Sequence, residues 1–503
     1  MGVAIASIGL ATAQGGSADI SGGVPLHAPE PWPWPLNGWS TSRICRPAVG
    51  VPPNLNGLPR WQALVQLALE DCFGDEEPSA KTPIFVGSCN GSAGDFVVEN
   101  WSAAFDSTAL LAGTAWAGQR LPVLSSSCNS GLHALYAARR VLMSGQADEA
   151  VVLAADILSR SNQDNFEVLR VLTDTPMLPW QPTSTGFILG EAAIALKLVR
   201  EGENETLSRT HLIGPVLANE LSRDDGLPRV IGPLSTAGPQ LLLGQGTGPV
   251  ASDESELAAF QLFVPCHVPL ATSLVHFGHT LGASGLLAIA LAGLIQRNPQ
   301  ALSALAMPSV SASNGRPLNM RSSTENSLTN NADVAGNVLV TCRALNGSCA
   351  AAIVGNANDA SAQQGRQWNQ ERAPERVWHA PVSSGPLMNT LLRRLAEEAP
   401  RHRPVDPPDV LLVRMDEPLA PPPEARVGER ILPSAVLEMT PGFVSQLIAR
   451  SWGFAGSALC LVGNSIKNDV SWDLRAALDH DGFLVSQVDL LGTGDKREIV
   501  WNN

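Results

Sequence analysis

VLSSSCNSGLHALYAARRVL, residues 123–142, decides how the rest of the chain is read. An apolar strand gives way to a run of small residues, one cysteine, and then a helix beginning near Asn129 to Leu132. This order places Cys128 at a helix N-terminus, where free N–H groups and the dipole favour thiolate over thiol. The pattern therefore predicts a lowered thiol pKa and an activated sulfur. Ser127, Ser130 and Gly131 are small enough for a strained turn and leave room for a substrate carbonyl beside backbone donors. Taken alone, a buried cysteine is more often an inert core residue, so the surrounding sequence must decide.

Outward from this stretch, short apolar runs alternate with longer amphipathic ones: PIFVG at 83–87, ALYAARRVLMSG at 134–145, AVVLAA at 150–155. Strand, helix, strand is the economical reading, and it predicts α/β layers with helices covering a mostly parallel sheet. The opening MGVAIASIGLATAQGGSA lacks the basic start of an export signal, so Val3 to Leu10 is predicted as a first buried strand. No apolar run approaches the roughly twenty residues needed to cross a bilayer. Loops are predicted at 29–39, 321–336 and 417–428, and a linker at 356–376, before DVLLVRM at 409–415 restarts the strand pattern.

Composition narrows the function classes. Among 503 residues, 44% are hydrophobic and 16% charged, the balance of a globular protein. A formal charge of −14 gives no support for nucleic-acid binding, which calls for a basic face. The eight cysteines show no two-residue spacing of zinc or redox sites, so neither a metal nor another cofactor is expected and a reduced, cytoplasmic compartment is the default. GQGTG at 244–248 lacks the Lys-Ser/Thr ending of a phosphate-binding loop. The twelve tryptophans read as loop and core residues, with a groove for an aromatic or polyene chain as the sharper alternative.

A long-period echo links the two ends of the chain. CNSG…AVVLAADIL has a counterpart in GNSI…LVSQVDLL, each a tight turn, a helix and a strand ending in Asp. Cys128 and Gly463 are 335 residues apart and Asp156 and Asp489 are 333 apart, a difference that a two-residue loop deletion reconciles. Any two β-α-β pieces share this outline, so true repeat and chance likeness both stay open. If the repeat is true, its second copy holds Gly463 where the first holds the cysteine.

Residues 123–142 resemble the nucleophile elbow of the β-ketoacyl synthases, within the thiolase-like superfamily, and four further stretches resemble that family in the same order. They are GFILGEAAIALKL at 186–198, GQGTGPVASDESELAAF at 244–260, TSLVHFGHTLGASGLLAIALAGLI at 272–295 and VTCRALNGSCAAAIVG at 340–355. The resemblance covers roughly residues 1–356. It implies an α/β, thiolase-like fold: duplicated β-α-β-α-β halves in an α-β-α-β-α layering, divided near 1–200 and 201–356. A linker over 357–408 and a partial thiolase-like or small α/β unit over 409–503 complete the expected organisation.

The resemblance also implies a chemistry. The cysteine takes an acyl group from a carrier-protein or coenzyme A thioester, two histidines help decarboxylate a malonyl unit, and the resulting carbanion attacks the acyl-cysteine. Carried over by position, Cys128 is the nucleophile and its own amide one oxyanion donor, with the amide of Leu345 the other, where the family has a gating Phe. His279 is the retained second histidine. The first is replaced by Gln245, and the lysine five residues before the second by Leu274. An amide side chain donates hydrogen bonds but exchanges no proton near neutral pH, so acid/base work is expected of His279 alone. Thiolases pair a cysteine with an amide residue and a histidine in a similar GHxLGASG loop.

The expected activity is that of a ketosynthase-like acyltransferase in polyketide or fatty-acid biosynthesis, working as a homodimer or a ketosynthase-type heterodimer. One alternative is a non-elongating acyltransferase that passes the acyl group to an amine, hydroxyl or thiol without decarboxylation. Another is a non-catalytic partner subunit of a ketosynthase heterodimer. His276 and His133 read as packed residues, and Asp253 and Glu256 as a loop-ordering acidic pair. Cys342 and Cys349 flank the Gly-rich turn and read as core, with a thiolase-like second cysteine at 349 the sharper alternative.

Overall fold

A computed structural model describes residues 2–23, 26–31, 44–76, 78–94, 102–201, 210–222, 224–305, 336–356, 389–419, 426–427, 430–431, 440–463, 473–492 and 497–502. The predicted loops and linker at 29–39, 321–336, 356–376 and 417–428 lie mostly outside these residues.

Among the described residues one fourteen-stranded sheet organises the molecule. Its strands are β1 (Gly2–Thr12), β2 (Ile84–Gly87), β3 (Val123–Leu124), β4 (Glu149–Asp156), β5 (Ala192–Glu201), β6 (Thr210–Asn219), β7 (Leu241–Leu243), β8 (Leu270–Ala271), β9 (Val338–Arg343) and β10 (Ser348–Asn356). The C-terminal region adds β11 (Val410–Met415), β12 (Ser457–Val462), β13 (Val485–Leu491) and β14 (Glu498–Asn502). Their order across the sheet is β8-β7-β9-β10-β6-β1-β5-β4-β2-β3-β12-β11-β13-β14.

The helices used below are α1 (Gly57–Phe73), α2 (Ser130–Met143), α3 (Arg160–Val168), α4 (Gly226–Ser235), α5 (Val250–Phe263), α6 (Ser284–Arg297), α7 (Thr390–Glu398), α8 (Pro441–Trp452) and α9 (Leu474–His480). α2 and α6 form the buried middle layer. α6 exposes almost nothing, because SGLLAIALAGLI is apolar or small all round, the pattern of a fully enclosed helix. α2 packs on β2 and β4 from the first half and on β6 from the second, while α6 packs on β5, β9 and β10. α1 covers the outer side of β1 and β5, and α4 that of β6 and β10. This is the α-β-α-β-α layering expected of a duplicated thiolase-like fold.

The stretch expected as linker over 357–408 contains α7, whose Leu391, Leu392 and Leu395 are wholly buried. These leucines share one apolar cluster with Trp61 and Val123 of the first half and Val413 and Val444 of the C-terminal region. Among the described residues no helix is long and apolar enough to cross a membrane, and no group of three or more His, Cys, Asp or Glu is placed to hold a metal.

Candidate active site

The turn carrying Cys128 is built by its small residues. Ser127 sits at φ +51°, in the left-handed region that L side chains avoid. Ser130 holds the turn closed, its hydroxyl donating to Ser127 O at 2.6 Å and accepting from Ser126 N at 2.9 Å. α2 then begins at Ser130, one residue past Asn129. The sequence reading placed the cysteine at this helix mouth, and the structure has it there.

A second turn is brought against it by α2. Asn129 Nδ2 donates to Ser348 O at 2.6 Å, and His133 Nε2 lies 3.1 Å from Ser348 Oγ. Buried His133, pushed down to about 3 by desolvation, is neutral and helps fix this second turn. Ser348 closes the hairpin between β9 and β10, and the hairpin presents the Leu345 amide to the Cys128 sulfur. Both that N–H and the N–H of Cys128 itself act on the sulfur in the direction that lowers its pKa. Leu345 itself is 51% exposed.

The thiol's acidity is where expectation and structure part. A lowered pKa was predicted from the helix mouth. Instead burial pushes the Cys128 thiol up to about 12, against the pull of the Leu345 and Cys128 amides, with the Asp156 carboxylate adding to the rise. Cys128 is only 3% exposed, and desolvation of a thiolate outweighs a helix terminus.

His279 is equally enclosed, at 2% exposure. Its backbone is locked to the short strand Leu189–Gly190 and the residue before it: His279 N donates to Ile188 O at 2.7 Å, and Gly190 N to His279 O at 3.1 Å. Its ring stacks on Phe187 at 4.6 Å between centroids. Leu281 N donates to Nδ1 at 3.2 Å, which assigns the ring proton to Nε2. Burial holds the imidazole down at about 4, so it is neutral at working pH. A neutral ring whose Nδ1 accepts from Leu281 N presents a hydrogen-bond donor at Nε2.

The histidine loop is tied to the turn that follows β2, residues 88–90, by Asp156, which motif reading did not single out. This fully buried carboxylate accepts from Ser88 Oγ at 2.8 Å, Cys89 N at 3.0 Å, Asn90 N at 3.1 Å and Gly282 N at 2.8 Å. Burial raises it to about 7 in spite of these four donors. Gly282 allows the approach, since a Cβ there would meet Asp156 Oδ2 at 2.7 Å and Ser130 Cβ at 3.0 Å. The signal in sequence was faint: an Asp closing a buried strand, AVVLAAD.

Gln245 is 6% exposed, and both ends of its amide are hydrogen-bonded. Its Nε2 donates to Cys342 Sγ at 2.9 Å and its Oε1 accepts from Arg343 N at 2.8 Å. Cys342 Sγ in turn lies 3.5 Å from Cys128 O, so it is Cys342, not Cys349, that adjoins the nucleophile turn. Glu256 accepts from Gln245 N and Gly246 N, both at 2.9 Å, and Asp253 from Gly248 N at 3.0 Å, which is the loop-ordering work read from the acidic pair.

The site thus joins a cysteine at a strand-to-helix elbow, the backbone amides of Cys128 and Leu345, and a neutral histidine on an adjacent Gly-rich loop. Residues 120–203, which contain the elbow, match the family of the beta-ketoacyl synthase N-terminal domain. The chain carries the thiolase-like ketosynthase fold. Among curated proteins none matches. Among solved structures, a beta-ketoacyl synthase from Burkholderia phymatum is 17% identical, with a TM-score of 0.51, covering 71% of this chain and 99% of its own. The ishigamide ketosynthase/chain length factor is also 17% identical, with a TM-score of 0.54, covering 70% of this chain and 98% of its own. A PfaC keto synthase–chain length factor covers 97% of this ketosynthase-like chain and 74% of its own, with a TM-score of 0.69 at 13% identity.

Proposed function

We propose that the chain forms an acyl thioester on Cys128 and passes that acyl group on, taking it from a carrier-protein or coenzyme A thioester. The observation that carries the reading is a cysteine at a strand-to-helix elbow whose sulfur feels the backbone N–H groups of Leu345 and of Cys128 itself. When that sulfur attacks a thioester carbonyl, the carbonyl oxygen becomes an oxyanion, and two preorganised amides beside the attacked carbon stabilise it. The new C–S bond forms at Cys128, the donor's C–S bond breaks, and the departing thiolate carries away the proton that Cys128 gave up. An acceptor nucleophile repeats the step in reverse.

Transfer without decarboxylation is favoured over condensation by the state of Gln245. An enolate formed from a malonyl thioester calls for donors on its oxygen. His279 supplies one at Nε2, whereas Gln245 has one N–H committed to Cys342 and its oxygen to Arg343, which leaves a single N–H in place of an imidazole. A second reading, the non-catalytic partner, draws on the 3% exposure of Cys128.

Intact-protein mass spectrometry with acyl-coenzyme A and acyl-carrier protein tests these readings. The parent is expected to gain one acyl mass and Cys128→Ala none. A parent that never labels, or a Cys128→Ala that labels equally, supports the partner reading. Carbon dioxide released from a malonyl donor in step with product would return condensation to first place.

A further inference from the structure

The C-terminal region repeats the strand plan of the first half around a pseudo-two-fold axis. In β5-β4-β2-β3 the first pair is antiparallel and the next two are parallel. In β14-β13-β11-β12 the pattern is the same. The two sets meet at β3 and β12, which pair antiparallel with Leu124 opposite Leu461 and Val123 opposite Val462. Beyond them Ser125 N donates to Cys460 O at 3.0 Å. Ser125 and Cys460 are 335 residues apart, the same offset that relates Cys128 to Gly463. The sequence echo and the pairing register therefore describe one symmetry, with its axis between Ser125 and Cys460. Chance likeness of two β-α-β pieces does not predict a shared register.

The second copy also supports the first copy's site. At the start of α8, Thr440 Oγ1 is 3.4 Å from Ser127 Oγ. A Cβ on Gly442 would come 2.6 Å from Ser126 Cα and 3.2 Å from Asn346 Nδ2, so glycine lets α8 abut both turns. Arg450, from the same helix, donates to Asn346 O at 2.9 Å, in the turn that carries Leu345. On the other side of the junction, α9 packs on α2, with Arg140 Nη1 3.1 Å from Asp481 Oδ2 and Gln146 exchanging hydrogen bonds with Asp473.

We infer that residues 389–502 are a degenerate second ketosynthase-like unit, which occupies the β3 edge in place of a separate subunit and holds the Cys128 and Leu345 turns in register. The working particle is one chain. The place of a second subunit is taken by its own C-terminal unit, which has Gly463 in the nucleophile's position.

Two measurements on the full chain test it, neither depending on activity. Light scattering during size exclusion is expected to give a particle near the single-chain mass of 52.9 kDa; a particle of twice that mass overturns the inference. In a Cys266→Ser background, which removes the exposed thiol, Arg140→Cys with Asp481→Cys is treated with a short bis-maleimide. Intact mass is expected to show one bridge within one chain, absent from either single variant. A covalent two-chain product, or no bridge in the double variant, overturns it.

Discussion

At the scale of single residues, two opposed effects meet on Cys128 and their sizes decide between them. Raising a thiol from its usual 9.0 to about 12 disfavours the thiolate by about 4 kcal/mol, whereas a helix terminus returns about 0.3–1 kcal/mol. Alkylation of Cys128 by iodoacetamide is therefore expected to be slow at pH 7.5, slower than that of exposed Cys266, and to rise about tenfold per pH unit to pH 10. Peptide mapping after timed labelling checks this, and a fast, pH-independent reaction at Cys128 would mean the thiolate is already formed.

Asp156 gives a second prediction of the same kind. Its folded pKa of about 7 lies above its usual 3.8, so its contribution to stability is full below pH 3.8 and is lost as pH rises through 7. Asp253, also raised to about 7 chiefly by burial, slopes the same way. Urea midpoints are expected to show Asp156→Asn less stable by about 1–3 kcal/mol, because an amide cannot accept all four bonds. The variant should also vary less between pH 6 and 8 than the parent, keeping only the Asp253 share. An unchanged pH slope would place the proton elsewhere.

At the scale of elements, the site is an agreement between helices that come from distant parts of the chain. α2 carries the nucleophile turn on its mouth and grips the Leu345 turn through Asn129 and His133. α8 approaches the same two turns from the far side of β3, with Gly442 at the contact. Gly442→Val would force side-chain atoms against Ser126 Cα, an overpacking worth about 1–3 kcal/mol. The strain falls on the nucleophile turn, so acyl labelling of Cys128 is expected to drop at least tenfold while far-ultraviolet dichroism stays that of the parent. Parent-like labelling of a folded Gly442→Val would show that α8 does not set the turn.

For the whole molecule, the C-terminal region shares its core with the first half. α7 and α8 place Leu391, Leu395, Val444 and Ile448 in the same apolar cluster as Trp61 and Leu110 of the first half. Removing residues 389–503 would bare this surface and open the edge of β3, leaving an apolar patch and an unpaired strand, both of which drive association. The shortened chain is expected to be insoluble or to elute as an oligomer. A stable, monomeric product in size-exclusion light scattering would contradict that.

The sequence by itself determined the α/β alternation, the cysteine elbow and the Gly-rich loops, because each is encoded locally, in apolar periodicity and in small residues at tight turns. It also supplied the 335-residue echo, yet left its meaning open, since a β-α-β outline is common and a strand's partner is written in no single segment. Only the tertiary structure decided that β12 pairs with β3 about the Ser125–Cys460 axis. The tertiary structure likewise decided the thiol's raised pKa, the tautomer of His279, the engagement of Gln245 by Cys342 and the role of Asp156, which reaches Gly282 across 126 residues. Those properties follow from burial and from hydrogen-bond partners distant in the chain, and both exist only once the layers have closed.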